Sequence, residues 1–204
     1  MSTTGTRGLA ASSRLGELLS SCRVIPGVKD DRGLADAAGA ENGIVFILYG
    51  NIVTIPGIVR TLKRAGKTVF VNVDLLGGSS SNDVIVRFLK ENSDTDGILS
   101  SKASVLKAAG KWGFYTIHRL FIIDSFSFGS IDRQIRLSSP DCIEILPGWP
   151  KLVTWTREKT ALPIISGGMI CTADDVRASL EAGSIAVSST NEEVWAIDSW
   201  NHLL

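Results

Sequence analysis

Residues Pro163 to Trp195 read PIISGGMICTADDVRASLEAGSIAVSSTNEEVW. Ile164-Ile165 is a short apolar strand, and Gly167-Gly168 breaks it. Thr172 precedes Ala173-Asp174-Asp175, the pattern of an N-cap followed by acids in the first helical turn. Gly183 ends that helix, Ile185 to Val187 forms a second buried strand, and Ser188-Ser189-Thr190-Asn191 opens a final helix. Two successive strand–helix units with Gly-Gly and Ser/Thr/Asn turns fit the phosphate site that follows strands 7 and 8 of a (β/α)8 barrel. Glycine admits an anion close to the backbone, and a helix start offers N–H groups and a favourable dipole. The same turns also fit ordinary tight connections with ordinary caps.

Six further strands are expected before this stretch: Arg23 to Ile25, Ile44 to Leu48, Thr68 to Val73, Gly97 to Leu99, Phe114 to Ile117 and Cys142 to Leu146. Most are continuously apolar, as parallel strands covered by helices on their outer face must be. Helices are expected over Val53 to Ala65, Asn82 to Asn92, Ala103 to Ala109 and Trp149 to Lys159. The stretches after strands 1 and 5 carry no clear helical signal. Regular alternation with eight strands predicts an α/β fold, a compact single-domain (β/α)8 TIM-type barrel over residues 23–204. Residues 1–22, rich in Ser, Thr and Gly, read as a flexible or weakly helical N-terminal extension.

The 204 residues contain 21 Lys+Arg and 21 Asp+Glu, so no global basic field marks a nucleic-acid partner. Three cysteines, Cys22, Cys142 and Cys171, without paired spacing argue against a disulfide framework or a zinc site, and a reducing cytoplasm fits. No apolar run is long enough to span a membrane, and the start lacks the apolar core of a signal peptide. Trp149, Trp155, Trp195 and Trp200 read as packing residues.

In a barrel the chemistry sits where strands give way to their following loops. The polar residues there are Lys29, Asn72 and Asp74, then Ser100 to Lys102, His118, Arg119 and Asp124, and Glu144 on strand 6. Ser166-Gly167-Gly168 and Ser188 to Asn191 complete the ring. Cations and glycine amides suit a phosphate, and carboxylates suit hydroxyls, which points to a small polyol phosphate. Arg119 also fits a plain ion pair with Asp124 or Glu144, and His118 a structural hydrogen bond. One local basic cluster stands out. Arg60, Lys63, Arg64 and Lys67 follow i, i+3, i+4, i+7 spacing on one helical face. That face is either a solvated helix surface or a contact surface for RNA phosphates.

The chain resembles the glycerol-3-phosphate-responsive antiterminators, the glycerol uptake operon antiterminator regulatory proteins of bacteria, from Val24 to Trp195. The resemblance rests on IPGVKD (Ile25 to Asp30), VNVDLLGG (Val71 to Gly78), ILSSKASVLKAAGKWG (Ile98 to Gly113) and IHRLFIIDS (Ile117 to Ser125). It continues through DCIEILPG (Asp141 to Gly148), LPIISGGMICTADDV (Leu162 to Val176) and AGSIAVSSTNEEVW (Ala182 to Trp195). It implies a cytoplasmic, non-enzymatic regulator with no cofactor. Its effector would be glycerol 3-phosphate and its partner the leader mRNA of glycerol-catabolic genes. Gly167, Gly168, Ser188, Ser189, Thr190 and Asn191 would hold the phosphate, and Asp74, Arg119 and Glu144 would line the glycerol end. Members usually carry histidine at Asn72, glutamine at His118, and arginine at Cys171 and at Lys102, so this chain lacks one cation near the Gly-Gly turn. The PGWP stretch also shortens one loop. Two other readings stand beside this one. The first is a barrel enzyme using Asp74, His118 or Glu144 on a small sugar or polyol phosphate. The second is a sensor that keeps the ligand pocket without RNA binding. Self-association would allow an RNA surface to be built across subunits.

Overall fold

Eight parallel strands pair in sequence order and the last closes on the first. They are β1 (Val24–Val28), β2 (Ile44–Ile47), β3 (Thr68–Asn72), β4 (Gly97–Ser100), β5 (Tyr115–Phe121), β6 (Cys142–Leu146), β7 (Ile164–Gly167) and β8 (Ala186–Ser189). The computed structural model describes residues 15–80 and 82–196. Residues 15–21 are helical (α1). The remaining helices are α2 (Asp31–Gly39), α3 (Ile55–Arg64), α4 (Asp83–Asn92), α5 (Ala103–Lys111), α6 (Ser125–Gly129), α7 (Ile131–Ser138), α8 (Pro150–Arg157), α9 (Ala173–Glu181) and α10 (Glu192–Trp195). The fold is a (β/α)8 barrel.

Strand alternation sorts the apolar residues into two sets. One set fills the barrel: Ile25, Phe46, Phe70, Leu99, Ile117, Cys142, Ile165 and Ala186, one from each strand, form a single buried cluster. The other set faces the helices. Val45, Val69, Val71 and Ile98 pack with residues of α3, α4 and α5, and Ile143 and Ile145 with Ile131, Leu152 and Val153. Large and small residues are matched inside. Phe70 sits edge-on to Phe46 with ring centres 5.6 Å apart and stacks on Tyr115 at 6.3 Å. A Cβ at Gly97, its partner in register on β4, would lie 2.2 Å from the Phe70 ring. Glycine is therefore the residue that admits the phenylalanine.

The N-terminal stretch differs from the expectation. Leu15 and Leu19 of α1 are fully buried and belong to the same cluster as the barrel interior. Their four-residue spacing puts both side chains on one face of the helix. Residues 15–21 thus complete the core and are not an extension outside it; residues 1–14 lie outside the described residues.

Four other expectations change. β5 runs four residues further than expected, through Phe121, so His118 and Arg119 lie within the strand and not after it. The stretches after β1 and β5 are helical, α2 after β1 and the short pair α6 and α7 after β5. The basic face is broken up. α3 ends at Arg64, and Gly66 turns the chain at φ +76°, a left-handed value that suits glycine. Lys67 then lies beyond the helix, buried, with its ammonium donating to the Ala40 carbonyl. Lys63 pairs with Asp96 at 2.7 Å. Arg60 and Arg64 are the members left exposed to solvent. Trp195 is buried, whereas Trp149 and Trp155 are exposed; Trp200 lies outside the described residues.

Leu19→Ala should cost about 2–5 kcal/mol of unfolding free energy, the usual range for emptying a buried leucine site. Urea unfolding followed by circular dichroism measures it. An unchanged midpoint would mean that residues 15–21 do not belong to the folded core.

Candidate functional site

The C-terminal mouth of the barrel holds a cavity of about 200 Å³. Arg119 of β5 and Glu144 and Leu146 of β6 form one wall, and Gly27, Phe46 and Leu48 of the first two strand–loop units form the opposite one. Two loops roof it, Gly168 to Cys171 after β7 and Ser188 to Asn191 at the end of β8. Five of the six residues expected at a phosphate, Gly168, Ser188, Ser189, Thr190 and Asn191, line this space together with Arg119 and Glu144. The apolar wall of Phe46, Leu48, Met169 and Ile170 escaped the sequence reading. Alternation along β2 was the available signal, since Phe46 and Leu48 are inward positions two apart.

An ion pair anchors the first wall. Arg119 Nε donates to Glu144 Oε2 at 2.5 Å, with the side chains 13% and 2% exposed. The other Glu144 oxygen accepts the Ser188 hydroxyl at 2.6 Å. A carboxylate buried this deeply requires such partners, because desolvation without them costs several kcal/mol. Gly167 makes room for it: a Cβ there would lie 2.6 Å from Glu144 Oε1 and 2.8 Å from the Ser188 hydroxyl. Gly167 therefore stands behind Glu144 and does not line the cavity. Among the described residues Arg119 hydrogen-bonds through Nε alone, which leaves its two terminal nitrogens available at the cavity wall. Beyond the pair, the guanidinium lies 5.5 Å from the centre of the Phe121 ring.

The roof is knitted by its own polar groups. Ser189 Oγ donates to the Ile170 carbonyl at 2.7 Å, and Asn191 Nδ2 to the Cys171 carbonyl at 2.9 Å. Trp195 donates its indole N–H to the Ser189 carbonyl at 2.8 Å. The start of α9 is closed by a capping box: Asp175 N–H donates to Thr172 Oγ1, and Asp175 Oδ2 accepts from the amides of Cys171 and Thr172. The Cys171 amide and the Thr172 hydroxyl hold the Asp175 carboxyl below its ordinary range. The α9 start thus directs those amides at its own carboxylate, and among the described residues Arg119 is the only basic side chain lining the cavity. Cys171 is exposed at the mouth.

Asp74 and His118 stand apart from this cavity. Asp74 accepts from the Ser100 hydroxyl, the Ser101 amide and the Ser101 hydroxyl at 2.6–2.8 Å, and so clamps the β4–α5 turn. His118 neighbours Arg119 on β5 and therefore points to the opposite side of the sheet. Its Nδ1 lies 2.8 Å from the Ser138 hydroxyl at the end of α7, and its Nε2 lies 3.2 Å from the Ser101 carbonyl. A carbonyl only accepts, so Nε2 carries the proton. Asn72 is buried; its Oδ1 accepts from the Asp74 amide and its Nδ2 has no partner among the described residues. Lys29 and Lys102 are exposed, and Lys102 is the N-cap of α5. No group of metal-ligating side chains occurs among the described residues, and none of their helices is long and apolar enough to cross a membrane.

Burial pulls the His118 imidazole below its usual value of 6.5, against the opposing pull of the Ser101 carbonyl and the Asp74 carboxylate. A depressed pKa in the folded state means that the unfolded chain takes up the proton first. The stability due to neutral His118 is full above about pH 6.5 and is lost as pH falls below it. His118→Gln keeps a donor for Ser101 and removes the titration. Melting temperatures measured from pH 7.5 to 5 should fall more steeply for the parent protein than for the variant; equal slopes would contradict this.

The sequence profile of the family described as Glycerol-3-phosphate responsive antiterminator matches residues 24–195. A protein of Escherichia coli (strain K12), uncharacterized protein YgcP, is 50% identical over 181 residues, covering 88% of this chain and 95% of that protein. The crystal structure of the glycerol uptake operon antiterminator regulatory protein of Listeria monocytogenes superposes with a TM-score of 0.81 at 29% identity, over 84% of this chain and 94% of its own. That of a glycerol uptake operon antiterminator-related protein of Thermotoga maritima gives a TM-score of 0.75 at 27% identity, over 85% and 98%. With its matched span running from the first barrel strand to the last helix, the chain belongs to the glycerol-3-phosphate responsive antiterminator family.

Proposed function

We propose that this protein is a cytoplasmic transcription antiterminator that binds glycerol 3-phosphate in the cavity at the barrel mouth. In the bound state it acts on the leader RNA of glycerol-catabolic genes and lets transcription pass a terminator. Family membership supports the regulatory role. The observation that carries the ligand assignment is Arg119: a mostly buried guanidinium fixed through Nε, with its terminal nitrogens left for an anion. Arginine in this geometry takes phosphate oxygens in pairs. The phosphate would lie between Arg119 and the roof loops Gly168 to Cys171 and Ser188 to Asn191. The glycerol moiety would lie towards Glu144 and the apolar wall of Phe46 and Leu48.

The acid–base residues of an enzyme reading are engaged in structural contacts. Glu144 is held by Arg119 and Ser188, Asp74 by Ser100 and Ser101, and His118 faces away from the cavity. This favours a binding protein over a catalyst.

Calorimetric titration should show binding of glycerol 3-phosphate and much weaker heats with glycerol or inorganic phosphate. Arg119→Gln should weaken binding by roughly tenfold or more, since a hydrogen bond to a charged group contributes about 1.5–3 kcal/mol. Gly167→Ala should also weaken it, by pushing Glu144 off its seat. Full affinity in Arg119→Gln would overturn the assignment of the pocket.

A further inference from the structure

We infer that the outer face shared by α5 and α7 is the surface that contacts RNA; the inference rests on the antiterminator reading above. From Gly97 to Ile123 the chain carries Lys102, Lys107, Lys111 and Arg119 and no acid. Lys102, Lys107 and Lys111 are all exposed. α7 packs beside α5 and brings two more exposed cations, Arg133 and Arg136. Lys107 and Lys111 are one turn apart on α5, and Arg133 and Arg136 one turn apart on α7. Each pair therefore shares a side of its helix. Helix axes in contact lie about 8–10 Å apart, so the two pairs stand on adjoining helices of the outer surface. Asp132 is the sole acid on either helix. The ion pairs among the described residues involve none of these five cations. Asp141, which follows α7, is turned onto the Thr116 amide and hydroxyl.

The contrast with α3 is direct. There Lys63 is neutralised by Asp96 and Lys67 is buried, which leaves two free cations. At the end of α5 Trp112 is 42% exposed, beside Lys111. An exposed aromatic ring within a field of uncompensated cations suits a single strand, whose phosphates take the charge and whose bases stack.

The patch is also wired to the ligand cavity. β5 lies between the two helices in the chain. Its Arg119 faces the cavity, and its His118 holds the start of α5 through Ser101 and the last turn of α7 through Ser138. An anion on Arg119 therefore acts on the strand that seats both cationic helices.

The test uses the whole chain saturated with glycerol 3-phosphate. The probes are a labelled single-stranded RNA of mixed sequence and a transcript ending in a terminator hairpin. Lys107→Gln, Lys111→Gln, Arg133→Gln and Arg136→Gln are combined in one variant, and Arg60→Gln with Arg64→Gln in a second. Calorimetry with glycerol 3-phosphate checks that both are folded. The first variant should lose at least tenfold in RNA affinity, and its log–log salt slope should flatten by about 2–3, near 0.7 for each phosphate no longer neutralised. The second should stay within about threefold of the parent. Parent-like affinity and slope in the first variant, or a loss confined to the second, overturns the assignment. Binding of polyglutamate by the parent as tightly as RNA also overturns it, by marking a general polyanion or acidic-protein surface. A parent protein that binds the ligand and neither RNA counts against the antiterminator reading itself.

Discussion

The cavity at the barrel mouth depends on the ion pair between Arg119 and Glu144. Both groups come from neighbouring strands, in register, and both point inward. Neither charge is tolerable there alone. Glu144 needs the guanidinium and the Ser188 hydroxyl, and that need fixes the relative positions of β5, β6 and β8. The absence of a side chain at Gly167 leaves the carboxylate its space on the β7 side. The result is a cation held rigidly at the wall with part of its hydrogen-bonding capacity unused. A rigid donor loses little entropy on binding an anion, which is the physical advantage of a preorganised site.

The strand that carries Arg119 also joins the pocket inside the barrel to the outer helices. Alternation along β5 sends Arg119 inward and His118 outward. His118 then touches the turn into α5 and the final turn of α7, while Asp74 grips the same α5 turn from the end of β3. These are discrete contacts between packed elements, the kind through which binding at one site can bias another. Reciprocity follows: if RNA favours the ligand-bound arrangement, the ligand must favour the RNA-bound one by the same factor.

The barrel was legible because its strands are continuously apolar and its helices end at glycines such as Gly66 and Gly183. The mouth of the barrel was legible for the same reason, since strand ends could be located within a few residues. What escaped has physical causes. β5 continues through His118 and Arg119, and polar residues inside a strand look like its end. The leucines of α1 sit in a Ser- and Gly-rich stretch whose composition masks their spacing. The basic run near α3 looked free because its neutralising partner, Asp96, is distant in sequence. The α5–α7 patch went unseen for the converse reason: its lysines and arginines are separated in the chain by β5 and meet only in the fold.

A crystal structure of the protein with glycerol 3-phosphate tests the pocket most directly. The phosphate should lie against the terminal nitrogens of Arg119 and under the two roof loops, with Arg119 Nε still donating to Glu144. A phosphate bound elsewhere, or an Arg119 swung away from both Glu144 and the ligand, would contradict it.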